Sequence, residues 1–147
     1  MKYTWLAIPV TLLATVPGLV LGGVVKFLYL AFVGPMIEGG ILNWLSDGFA
    51  EKLFTAIVPE GLHGAVAGYF GIVVVHKFLK QADYNVVAYA VTSIAIVFSL
   101  IALGFSASLL SLDTAGLIAN TIGLAAGLFA ATQSLPQNES AGAQSVT

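Results

Sequence analysis

The stretch Gly61-Leu-His-Gly-Ala-Val-Ala-Gly-Tyr-Phe-Gly-Ile-Val-Val-Val-His-Lys-Phe-Leu-Lys80 decides the fold class. Its glycines at 61, 64, 68 and 71 are spaced three, four, three. On an α-helix that spacing puts all four on one face and strips the face of side chains. In water such a helix is poor, because each interior glycine costs up to about 1 kcal/mol against alanine. In a bilayer the same stripe lets a second backbone approach closely. Gly61, Gly64, Gly68 and Gly71 therefore read as a packing face within a membrane. Both histidines of the chain, His63 and His76, lie on this segment.

Composition points the same way. The chain has 147 residues, 59% hydrophobic and 8% charged, with a mean hydropathy of +0.98. A soluble domain carries about 25% charged residues. A chain this poor in charge cannot cover a globular surface with polar groups, so lipid must be its solvent over much of its area. The five basic residues are all lysines, at positions 2, 26, 52, 77 and 80. That argues against nucleic-acid binding, which needs clustered basic charge. With no cysteine, disulfides, thiolate metal sites and cysteine nucleophiles are excluded.

Outward from the glycine segment, apolar runs predict an all-α four-helix membrane bundle. The spans fall at about 5–33, 61–79, 85–104 and 113–132. Leu6–Val25 is uncharged and long enough to cross. With Pro9 and Pro17 inside it and no A-x-A-like site after it, it reads as a retained span rather than a signal peptide. Thr11, Ala14, Gly18 and Gly22 give this span a small-residue face. Lys26 follows, read as snorkelling to the interface. The sharper alternative is an intramembrane cation paired with Glu38. Gly34-Pro35 and Gly39-Gly40 predict a break.

Residues 41–58 then have helical period. Leu42, Leu45, Phe49 and Leu53 fall on one side and Asn43, Asp47, Glu51 and Thr55 on the other. This predicts an amphipathic helix lying at the interface, ended by Pro59-Glu60-Gly61. After the lysine-rich turn at Lys77 and Lys80 comes a stripe running Ala88, Thr92, Ala95, Ser99, Ala102, Ser106. The last span carries Gly116, Asn120, Gly123 and Gly127. Positions 133–147 are polar and read as a disordered tail, with a weak glycosylation sequon at Asn138-Glu-Ser140. Four spans place both termini on one side with Lys2, Lys77 and Lys80. The positive-inside rule makes that side the cytoplasm of a plasma (inner) membrane.

Candidate chemistry is sparse. None of the acids reads as lying mid-span, and no spacing suggests a nucleophile beside a base, so no enzyme is expected. Asn120 is the one strongly polar side chain well inside a predicted span, with Thr92, Ser93 and Ser99 as possible neighbours. These could line a narrow path for a small solute or ion (channel, transporter or holin-like pore), or glue helices together. No cofactor is expected. A haem held by His63 and His76 is a further alternative, though thirteen residues rotate the second by about 140° from the first. Small-residue faces on all four spans exceed what one small bundle needs at its centre. The leading expectation is thus a non-catalytic subunit that assembles with other membrane chains, its own kind or another. Its partners would be the lipid bilayer and those chains, with no nucleic acid.

Overall fold

A computed structural model describes residues 3–38, 48–105 and 112–136. Helix α1 is Thr4–Glu38, and α2 is the short helix Phe49–Lys52. A π-helical turn, Leu53–Ile57, leads directly into α3, Val58–Phe78. Helices α4, Tyr84–Phe105, and α5, Leu112–Ser134, complete the chain. Four of the described segments are long and apolar enough to cross a membrane: Thr4–Ile37, Leu53–Phe78, Tyr84–Gly104 and Thr114–Ser134. The fold is an all-α four-helix bundle of a multi-pass membrane type.

The predicted small-residue faces meet one another. A Cβ on Gly64 would strike the Asn120 carbonyl and one on Gly68 the Leu124 carbonyl. In return, a Cβ on Gly123 would strike the Gly61 carbonyl and one on Gly127 the Ala65 carbonyl. Helices α3 and α5 therefore run parallel with their backbones in contact, the closest packing in the molecule. Helix α1 lies antiparallel on the other flank of α3. A Cβ on Gly18 would sit 2.9 Å from the Ala67 Cα, Gly22 faces His63, and Gly71 faces Thr11 and Thr15.

One end of the bundle is a sealed apolar core of Ala7, Ile72, Val75, Val87, Val91 and Leu128, each fully buried. The Asp83 amide donates to Thr4 Oγ1 at 3.1 Å, tying the start of α1 to the turn before α4. Thr4, the α3–α4 turn and the end of α5 thus share this end, called the terminal end below. Helix α4 packs on α5 and α1. Ser99 on α4 and Thr121 on α5 share a hydrogen bond of 2.7 Å. Large apolar side chains such as Trp5, Leu13, Val20, Phe27, Phe98 and Leu100 point outward, as a lipid-facing surface requires.

Three boundaries differ from the sequence expectation. Helix α1 does not stop at Gly34-Pro35 but continues to Glu38. An apolar environment leaves the backbone no alternative to its own hydrogen bonds, and this outweighs the breaking tendency of the pair. Pro59-Glu60-Gly61 does not end a helix either. Proline is tolerated in a first helical turn, and Pro59 sits at the start of α3. The glycine helix is correspondingly longer than its apolar run, with a crossing segment that starts at Leu53. Of the predicted interfacial helix 41–58, residues 41–47 lie outside the described residues. From Phe49 the remainder is helical and joins α3 without a break. The predicted tail lies outside the described residues from 137 onward.

Candidate functional site

Continuity through Pro59 places Glu60 inside a membrane-crossing helix. Its distance from Phe78 along α3 is about 27 Å at 1.5 Å per residue, close to a bilayer's apolar thickness. Residues 60 and 63 are one helical turn apart, so Glu60 and His63 share a face. That face meets α1 at Lys26 and α5 at Asn120.

The Lys26 ammonium donates to Glu60 Oε1 in a close ion pair between α1 and α3. Asn120 Nδ2 donates to Glu60 Oε2 at 3.5 Å, the outer limit of a hydrogen bond. It also donates to His63 Nδ1 at 3.2 Å. His63 Nε2 lies 2.9 Å from the Leu19 carbonyl of α1, a partner that can only accept. Nε2 is therefore the donor to Leu19, and with the Asn120 amino group facing Nδ1 that nitrogen is the acceptor. Both amide hydrogens of Asn120 are then committed. Its Oδ1 carries no protein hydrogen bond among the described residues. Glu60 Oε2 also stands 3.6 Å from His63 Nδ1. A proton added at Nδ1 would face the Asn120 amino group, and the amide would have to turn over to receive it.

These four side chains line a cleft of about 560 Å³, together with Thr55, Ala56 and Leu30. Two local features shape it. The π-helical turn at Leu53–Ile57 carries Thr55 and Ala56 on its wall, and such turns often mark functional positions. Pro59 has no N–H to give the Thr55 carbonyl, so the ladder is already interrupted there. Gly116 leaves room for the Glu60 stem, since a Cβ on it would sit 3.3 Å from Glu60 Cγ.

The sequence-predicted site residues divide among these places. Asn120 is at the centre, and Lys26 and His63 join it. Lys26 pairs with Glu60 rather than Glu38. Glu38 stands twelve residues beyond Lys26 on the same helix, about 18 Å along its axis, whereas Glu60 on α3 meets Lys26 directly. The Glu38 side chain lies outside the described residues. Thr92 and Ser99 do not reach the cleft. Thr92 Oγ1 is buried without a hydrogen-bond partner, and Ser99 pairs with Thr121. His76 is not brought to His63; it packs edge-on against Tyr84 at 5.3 Å. Gly61, Gly64, Gly68, Gly123 and Gly127 form the α3–α5 contact, Gly71 the α1 contact, and Ala95 is half-buried on α4. Among the described residues, no three His, Cys, Asp or Glu side chains gather as a metal site would require.

Glu60 is the residue that sequence reasoning missed. Its signal was present as an acid one helical turn before a histidine, but reading Pro-Glu-Gly as a turn hid it. Fold and site together define a four-span helical bundle with an ion pair, a histidine and an amide inside it. No family model matches the chain, and no curated protein or solved structure matches it either.

Proposed function

We propose that the chain is a non-catalytic membrane carrier for a small polar solute or ion, which binds in the cleft of Lys26, Glu60, His63 and Asn120. The observation behind this reading is the Lys26–Glu60 pair on two membrane-crossing helices. Charged side chains within membrane-crossing helices are rare and mark polar pathways. The cleft offers acceptors at Glu60 and Asn120 Oδ1 and a cation at Lys26. The sealed core of Ile72, Val75, Val87, Val91 and Leu128 lies between it and the terminal end. A site closed towards the terminal end suits a carrier better than a standing pore. Purified protein in vesicles, assayed for flux of protons, sodium, potassium, glycerol and urea, tests this. At least one should cross faster than in protein-free vesicles, and Asn120→Leu should abolish the difference. No acceleration for any of them, or acceleration unchanged by Asn120→Leu, would overturn the proposal.

A second reading, assembly with further membrane chains, is favoured by one feature. The outer face between α3 and α5 is an apolar groove of two adjoining clefts, about 650 and 490 Å³. Ala65 and Ala126 line both, and a small-residue floor admits a helix. Filling it with Ala126→Phe should lower the mass of the detergent-solubilised particle. A particle that is monomeric before the change removes this reading. A Soret band in the same sample would revive the haem alternative at His63 and His76.

A further inference from the structure

We infer that a second polar cleft, at the terminal end, binds the phosphate of an anionic phospholipid headgroup. This cleft has a volume of about 450 Å³ and lies between the end of α3, the start of α4 and the end of α5. The crossing segments end at Phe78, begin at Tyr84 and end at Ser134. The cleft therefore sits where apolar spans give way to headgroups. Its polar lining includes Lys80, Asn85, Gln133 and Asp83. The side chains of Lys80, Asn85 and Gln133 make no hydrogen bond or ion pair among the described residues. They supply an ammonium and two amide groups as donors, the set that phosphate oxygens accept from.

Asp83 has a structural role of its own, with Oδ1 accepting from the Asn85 and Val86 amides at 3.1 and 3.3 Å as the cap of α4. Lys80 and Asp83 balance within the lining, and Lys77, outside it, leaves one positive charge at this end among the described residues, to match the single negative charge of a phosphodiester. Phe78, two residues before Lys80, is 78% exposed, an apolar surface along which an acyl chain can lie. A lysine at the headgroup level between membrane helices attracts such headgroups. A lipid, unlike free phosphate, gains from both features.

Native mass spectrometry tests the site on full-length protein taken from vesicles of equal phosphatidylglycerol and phosphatidylcholine. One phosphatidylglycerol should be retained in preference to phosphatidylcholine. Lys80→Gln should lower that retention about fivefold, the factor that corresponds to about 1 kcal/mol for one lysine near an anionic surface. Lys52→Gln, at the far end, should leave it unchanged. Lys80 is exposed, so folding should survive, and unchanged helix content by circular dichroism checks this. Equal retention of both lipids, or an equal loss with Lys52→Gln, would overturn the inference. So would millimolar inorganic phosphate that raises thermal stability in phosphatidylcholine vesicles through Lys80, since the site would then take the free ion.

Discussion

At Glu60 a single carboxylate accepts from Lys26 on one oxygen and from Asn120 on the other, while His63 stands one turn further along the same face. Removing one charge of such a pair leaves the other uncompensated in a region poor in water. Glu60→Gln should therefore destabilise the bundle by about 2 kcal/mol, less than for a fully buried pair because both side chains keep some exposure. Thermal unfolding in detergent reads this, and unchanged stability would mean that the pair is only a surface contact. The Leu19 carbonyl makes a second demand. Nitrogen-15 NMR should find His63 protonated at Nε2 and bare at Nδ1. The opposite tautomer would break the link to Asn120.

Among the elements, the parallel contact of α3 and α5 depends on the missing side chains of Gly64, Gly68, Gly123 and Gly127, each set against a partner carbonyl or the amide beside it. Backbone cannot retreat as a flexible side chain can. Gly68→Ala should cost about 1–3 kcal/mol by overpacking, whereas Gly104→Ala, with open space around its Cβ, should cost little. The spacing of these glycines was legible in sequence because a helical stripe needs only period 3.6 to be seen. What the stripe packs against was not legible. The surplus of small faces suggested other chains, yet those of α1, α3 and α5 are taken up within this one. The candidate site was legible at Asn120 alone. Lys26 and His63 could be named, but their common partner could not, because Pro59 and Gly61 around Glu60 carry turn signals in any medium that hydrates the backbone. In a bilayer the helix runs on through them. The π-helical turn, invisible to periodicity, then sets Thr55 against the cleft.

For the molecule as a whole, the four crossings bring both ends of the described chain to the end that holds Lys77 and Lys80. The lack of cysteine makes this directly testable. Lys80→Cys should react with a membrane-impermeant maleimide only from the cytoplasmic side and Lys52→Cys only from the outside, following the lysine bias. Labelling of both from one side would contradict the four-span arrangement. The division of the bundle into a sealed terminal half and a polar far half also separates stability from function. Replacing an ionic cluster by apolar residues of similar volume is often neutral or stabilising, so the cluster's value should lie in what it binds. The decisive measurement is vesicle flux through the triple variant Lys26→Met, Glu60→Met, Asn120→Leu, made on protein whose thermal stability matches the original chain. The carrier account predicts stable protein with flux reduced to that of protein-free vesicles. Flux retained by that stable variant would contradict it.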